Sequence, residues 1–420
     1  MEKVKCPEVR FKGFSNRWKQ QTLGDMFIPL SNNTLSRADL NYDNGRIKNI
    51  HYGDILVKYA AVLDYKNDKI PVITDGEISD FKSQLLQNGD VIFADTAEDE
   101  AVGKAIEINV PADTSIVSGL HTMAYRPKVK LSSFYLGHYL NSNAYHHQLL
   151  PLMQGVKVLS ISRTNLAKTI VRYPLSEQEQ TQIGHFFQNL DQSIALHEKK
   201  LAQTQNLKKA MLEKMFPKAG SKQPEIRLKG FSGDWEKKLL EDEVEFFSGL
   251  TYSPDDVTNK NGTLVLRSSN VQNNQICIDD NVYVVHDAVN VCNVEVGDII
   301  VVVRNGSRDL IGKHAVINEQ MKNTVIGAFM TGVKARNPYF INALFNTNLF
   351  DLAVSRNLGA TINQITTGMF KQMEFKFPDK TEQIAIGKFF KQLDETLTLQ
   401  QQQLQTLKNL KKAFLEKMFV

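Results

Sequence analysis

Three short stretches of this chain carry residues at spacings that chemistry uses. Gly306-Ser307-Arg308-Asp309-Leu310-Ile311-Gly312-Lys313 has the glycines and closing lysine of a phosphate-cradling loop. Its glycines stand one residue too far apart, and His314 sits where a Ser or Thr hydroxyl would hold magnesium. Asn337-Pro338-Tyr339-Phe340 has the outline of the Asn-Pro-Pro-Tyr loop that holds an amino group for methyl transfer. One proline is missing, and no glycine-rich strand–turn–helix unit is present to seat a cofactor. Glu198-Lys199-Lys200 has the Glu-x-Lys of a nuclease but no acidic partner on a nearby strand, and reads as a charged helix face. The nine histidines form no paired metal spacing. His146 and His147 are adjacent and would point apart on a helix. No catalytic residue, metal site or cofactor is expected in this chain.

Composition allows more than one domain. The chain has 420 residues, 42% hydrophobic and 23% charged, within the ordinary range for globular proteins. A net charge of +4 permits a nucleic-acid partner only if basic residues gather on one face. Cys6, Cys277 and Cys292 form no CxxC and no Cys/His cluster, which predicts a reducing compartment and no zinc. The opening Met1–Arg10 has no apolar core for a secretory signal, and no stretch is apolar enough to span a bilayer. The expectation is a cytoplasmic protein with no membrane partner.

The elements that must position any site come in two copies. Pro7-Glu8-Val9-Arg10-Phe11-Lys12-Gly13-Phe14-Ser15, with Trp18 beyond, returns as Pro224-Glu225-Ile226-Arg227-Leu228-Lys229-Gly230-Phe231-Ser232, with Trp235 beyond. Later, Glu179-Gln180, Ile183-Gly184, Phe186-Phe187 and Leu190-Asp191 return as Glu382-Gln383, Ile386-Gly387, Phe389-Phe390 and Leu393-Asp394. Leu207-Lys208-Lys209-Ala210 with Leu212–Phe216 returns as Leu410-Lys411-Lys412-Ala413 with Leu415–Phe419. Chance would not keep the order of these blocks, so the chain is an internal duplication.

Both closing segments predict long helices. Ser176 with Glu179, and Asp379 with Glu382, stand as capping boxes just after Pro174 and Pro378. Behind each cap the apolar spacing alternates between four and three. It runs Ile183, Phe187, Leu190, Ile194, Leu201, Met211 in one, and Ile386, Phe390, Leu393, Leu397, Leu404, Leu407, Phe414 in the other. These are the predicted helix-pairing residues, with polar breaks at His197 and Gln400 that can set register. Each helix would be about 60 Å long. A duplicated seam predicts an antiparallel coiled coil about a pseudo-twofold axis. The expected fold is mixed α/β (α+β). A first globular domain spans 1–172, a first spacer helix 173–217, a second domain 218–376 and a second spacer helix 377–420. Asp90–Phe93 and Asp298–Val303 are β-rich runs, and Gly103-Lys104 is the counterpart of the 306–313 loop.

These blocks, with the Tyr-Pro and Phe-Pro boundaries at 173–174 and 377–378, resemble the specificity subunits of type I restriction–modification enzymes over essentially the whole chain. The resemblance implies two target-recognition domains, each reading half of a split, asymmetric double-stranded DNA site, with the helix pair setting the gap. It implies docking of two methylation subunits and of restriction (motor-nuclease) subunits. S-adenosylmethionine, ATP and magnesium would belong to those partners, and the chain itself would be non-catalytic. The alternative is a non-catalytic coiled-coil scaffold for protein assembly.

Base reading favours Arg, Lys, Asn and Gln; Ser and Thr position phosphates. The candidates in the first domain are Arg46, Lys48, His51, Lys104, Lys157, Ser162 and Arg163. In the second they are Arg267, Asn270, Arg304, Asn305, Arg308, Thr361, Asn363 and Thr366. Arg304, Asn305 and Arg308 form a compact basic turn straight after a β-rich run, where burial would be costly.

Overall fold

Each repeated block closes a specific contact in the computed structural model, which describes residues 6–259, 261–358 and 363–420. Arg10 Nε and Nη2 donate to Glu179 Oε1 and Oε2 at 2.6 and 2.8 Å. Arg227 holds Glu382 in the same fork at 2.8 and 2.7 Å. The helix starts are capped as predicted: Ser176 Oγ accepts from Glu179 N at 3.3 Å, and Asp379 Oδ1 from Glu382 N at 3.0 Å. The glutamates do not reach back to close the boxes. They turn to the arginines, because a guanidinium is a stronger partner than a backbone N–H. Gln180 and Gln383 donate to the carbonyls of Pro174 and Pro378. A Cβ on Gly184 would stand 2.6 Å from Ser133 O, and one on Gly387 2.8 Å from Phe340 N. Only glycine lets the starts of the helices Tyr135–Leu140 and Pro338–Phe345 lie this close to the long helices.

The long helices run Glu177–Lys214 and Lys380–Lys417, 38 residues each. The chain divides into two compact units, residues 1–198 with 402–420, and residues 199–401. Each unit therefore holds the opening part of one long helix and the closing part of the other. In the first unit Phe186 meets Phe414 with centroids 5.0 Å apart, Asp191 pairs with Lys411, and Glu198 with Lys408 at 2.7 Å. Numbers rise on one helix as they fall on its neighbour, so the pairing is antiparallel. Burial alone would raise the Asp191 carboxyl, but His138 and Lys411 hold it below the ordinary range. In the second unit the equivalent residues, Asp394 and Lys208, pair at 2.5 Å.

Along the predicted seam Ile183, Phe187, Ile386, Phe390 and Leu404 are buried. Leu190, Ile194, Leu201, Met211, Leu393, Leu397, Leu407 and Phe414 are half-buried. Leucines off the seam, at 196, 207, 399 and 410, stay exposed. Of the polar breaks, His197 donates from Nδ1 to Ser193 O on its own helix at 2.8 Å. Gln400 Oε1 is buried without a partner among the described residues.

The globular part of each unit repeats one topology. A four-stranded antiparallel sheet is ordered Phe27–Pro29, Thr122–Pro127, Val91–Ala94, Ala105–Glu107 in the first unit. In the second it is ordered Val244–Ser248, Met330–Ala335, Ile299–Val302, His314–Val316. The inner strands Val91–Ala94 and Ile299–Val302 are buried at every residue, which is why they read as unbroken apolar runs. A second four-stranded sheet in each unit carries a parallel pair, Lys48–Ile50 with Ile116–Ser118 and Thr263–Leu266 with Thr324–Ile326. The long-helix ends complete the cores: Phe419 packs with Trp18, Tyr135 and Phe187 in the first unit, and Phe216 with Trp235, Phe340 and Phe390 in the second.

Glu107 is a buried acid of the first unit with no acidic counterpart in the second. Glu107 accepts the N–H groups of Phe134 and Gly137 at 2.8 and 2.9 Å; Val316 holds the matching position in the second unit. Burial pushes its carboxyl up from 4.5 to about 7, against the pull of those N–H groups. A raised acid contributes its full stability below its unfolded value and loses it as pH climbs through the folded one. The first unit is thus expected to lose about 3 kcal/mol from this group between pH 4.5 and 8. In Glu107→Gln the decline should flatten in urea titrations followed at Trp18; an unchanged pH slope would contradict it.

Candidate nucleic-acid interface

The loop after each inner strand is the same piece of architecture. Gly103 N bonds Ala94 O and Gly312 N bonds Val302 O, both at 2.9 Å, and a lysine follows each glycine. Further along the chain, Ile161 N bonds Asp95 O and Ile365 N bonds Val303 O, again both at 2.9 Å. These bonds bring the late loop of each unit against the inner-strand loop. Ser162 and Thr366 then cap the next short helices, Arg163–Ala167 and Thr367–Lys371.

In the second unit this closure gathers most of the predicted reading residues. Arg304 bridges to Gln364, Asn305 N donates to Asn363 O at 3.3 Å, and Asn363 Nδ2 donates to Gly306 O at 3.0 Å. Asn305 Nδ2 reaches Ser268 Oγ at 3.0 Å, drawing in the turn that follows Arg267. Arg267 pairs with Asp280 at 2.8 Å, and exposed Arg308 opens the turn Arg308–Leu310. Thr361 lies outside the described residues. Asn270 is buried; its Nδ2 donates to Cys277 O, Asp280 O and Asn281 Oδ1, so its amide shapes the loop from inside.

The first unit gathers fewer of its candidates. Arg163 Nη2 donates to Leu30 O and Asn32 Oδ1 at 3.2 and 3.1 Å, with its guanidinium over the Tyr125 ring. Lys157 stands on an exposed hairpin whose tip, Val156, is 99% exposed. Arg46 is exposed and Lys48 lies over the Tyr65 ring at 5.3 Å. His51 is buried, and its Nδ1 accepts from Gly53 N at 3.2 Å to cap a helix. Burial, with Arg37 nearby, lowers its pKa. Lys104 donates to Leu56 O and Tyr59 O at 3.0 and 3.1 Å; burial, then Lys411, lowers its pKa. His51, Lys104 and Asn270 thus satisfy backbone groups that the loops would otherwise leave unpaired.

Two residues at this surface escaped the sequence reading. His121 Nδ1 stands 3.3 Å from Asp95 Oδ1 with its ring edge-on to Tyr52, and Phe329 lies exposed under Arg304. The signal was present but short: Gly119-Leu120-His121 and Gly327-Ala328-Phe329 precede equivalent strands. Among the described residues no group of His, Cys, Asp and Glu could hold a metal ion, and no helix is long and apolar enough to cross a membrane.

One frame built twice, with a polar loop cluster on each copy, defines a two-headed recognition protein. Comparison with known proteins gives the class its name. The family described as type I restriction modification DNA specificity domain matches residues 16–206 and again 232–409. The chain belongs to that family, and its function is that of a type I restriction–modification specificity subunit. A putative type I restriction enzyme specificity subunit, MjaX, of Methanocaldococcus jannaschii is 22% identical over 377 residues, 85% of this chain and 84% of its own length. The crystal structure of the S subunit of a type I system from M. genitalium superposes with a TM-score of 0.64 at 13% identity, over 99% of both chains. A chain from a structure on complex assembly and conformational transition of the type I system superposes at 0.51 with 16% identity, over 96% of this chain and 97% of that one. At these identities the structures speak for the fold.

Proposed function

We propose that each unit reads one half of a bipartite, asymmetric double-stranded DNA site and that the antiparallel helix pair sets the gap. One observation carries this reading. The same loop, held by the same backbone bonds, presents Glu98-Asp99-Glu100 in the first unit and Arg304-Asn305-Gly306-Ser307-Arg308 in the second. Opposite chemistry on an identical mount suits two different half-sites and not a palindrome. Recruitment of two methylation subunits and of restriction subunits is part of the reading. S-adenosylmethionine, ATP and magnesium act on those partners, and this chain contributes no catalytic group. Leu196 and Leu410 in the first unit, and their equivalents Leu399 and Leu207 in the second, leave apolar surface on the helices for the methylation subunits.

The test removes seven residues from the middle of each long helix, which keeps the seam in phase and shortens each by about 10 Å. Sequencing of methylated adenines in cells carrying the variant should show the same two half-sites with the gap reduced by about three base pairs. Altered half-sites at an unchanged gap would refute the division of labour.

A further inference from the structure

The glycine turns of the two units hang from the same place. Gly119 N bonds Ile50 O and Gly327 N bonds Leu266 O, both at 2.9 Å. The third residue of each turn, His121 or Phe329, puts a ring beside the loop that differs between the units. Phe329 is 54% exposed, yet its backbone is clamped: its carbonyl accepts from Val303 N at 3.0 Å and Arg304 N at 3.2 Å. A single exposed apolar side chain is ordinary on a protein surface. This one is held by the first residues of the basic reading loop, so it moves with that loop and must approach whatever the loop approaches.

The arrangement also limits what the ring can do. The Arg304 guanidinium lies 5.0 Å from the ring centroid, over one face. A wedge driven between base pairs needs both faces of its ring, and one face here already carries a cation. The ring edge and opposite face remain for lateral contact. In the major groove the apolar feature of a base edge is the thymine 5-methyl group. We propose that Phe329 is a specificity-determining residue of the second reading head, touching the methyl group of one thymine while Arg304 lies alongside. The inference rests on the reading above, that this loop cluster faces DNA. At the equivalent position His121 is polar, 3.3 Å from Asp95, and cannot supply the same contact. Methyl recognition at this turn therefore belongs to one half-site only.

The test uses the full chain with its methylation partner. Duplexes carry the site found by methylation sequencing, with each thymine in turn replaced by deoxyuridine, which deletes one methyl group. One such replacement, in the half-site read by the second unit, should weaken binding about fourfold, the worth of one buried methyl group. Phe329→Ala should abolish that difference, and Phe329→Leu should keep part of it, showing that the turn still forms. Arg304→Ala should weaken binding to the cognate duplex and flatten the salt dependence. If no deoxyuridine in that half-site weakens binding, or if its effect survives Phe329→Ala, the proposal is overturned. If Arg304→Ala changes neither affinity nor salt dependence, the assignment of this cluster to DNA is overturned instead.

Discussion

Glu382→Ala should lower the stability of the second unit by about 3 to 5 kcal/mol, the usual result of removing one partner from a buried ion pair. Glu382 is wholly buried, and both its oxygens accept from Arg227. Two more guanidinium hydrogens go to Ser232 O and Gly233 O, so the arginine cannot swing out to water without breaking the turn. Truncating the glutamate leaves a largely covered guanidinium, 16% exposed, without its bidentate partner. A domain is stabilised by only about 5 to 15 kcal/mol in total, so the loss is a large share. The measurement is unusually clean, because the chain has two tryptophans and each unit holds one. In a Trp18→Phe background, urea unfolding followed at Trp235 reports the second unit. The Arg227→Met/Glu382→Leu double variant should recover much of the loss, since it removes both charges at once. Glu179→Ala should do equal or greater harm to the first unit, where Glu179 also accepts from Trp18 Nε1 at 3.4 Å. An unchanged midpoint in both glutamate variants would mean that the repeated Arg and Glu do not hold the frame.

The duplication, both long helices and the caps at their starts could be read from residue order because each rests on local rules: a cap three residues from its partner, a seam at alternating fours and threes. The Arg10–Glu179 fork could not. Its two ends are 169 residues apart, and spacing says nothing about which repeated block meets which. The candidate loop surfaces were legible only in part, for a different reason. Residue type separates polar from apolar, but loops packed on a core expose backbone carbonyls and N–H groups that must be satisfied there. Lys104, His51 and Asn270 are polar and lie inside for that purpose. Arg304, Asn305 and Arg308 could be picked out as a group because their turn follows an apolar strand directly; that Asn363 on the late loop returns to it could not be read from spacing. Phe329 breaks the opposite expectation: an apolar ring placed outside, on a turn too short to register as a repeat.

A residue beside the last position of the chain should govern the stability of the first unit. Phe419 is buried, with its ring stacked on Phe187 at 5.3 Å and edge-on to Trp18, Tyr135 and Tyr139. The second long helix is anchored there by its neighbours as well: Val9 N donates to Lys417 O at 3.0 Å, and Met418 is buried in the same core. Phe419→Ala should cost the first unit about 3 to 5 kcal/mol, the range for opening a phenylalanine-sized hole in a packed core. The equivalent contacts in the second unit are made by Phe216, with Ile226 N donating to Lys214 O at 3.0 Å, so Phe216→Ala should fall on that unit instead. The two variants therefore cross over: the change late in sequence is read at Trp18, the change at mid-chain at Trp235. Urea titrations in the Trp18→Phe and Trp235→Phe backgrounds separate the two. If Phe419→Ala lowers the Trp235 midpoint while leaving that at Trp18 unmoved, each helix end closes the core of its own half and the exchange of ends is wrong. If the effects cross as expected, neither half of the duplication completes its own core. Each long helix then carries stability from the unit where it starts to the unit where it ends, so a change of length that cut into either end would open a core. For that reason the gap experiment must remove whole heptads from the middle of both helices and leave Leu212–Phe216 and Leu415–Phe419 untouched.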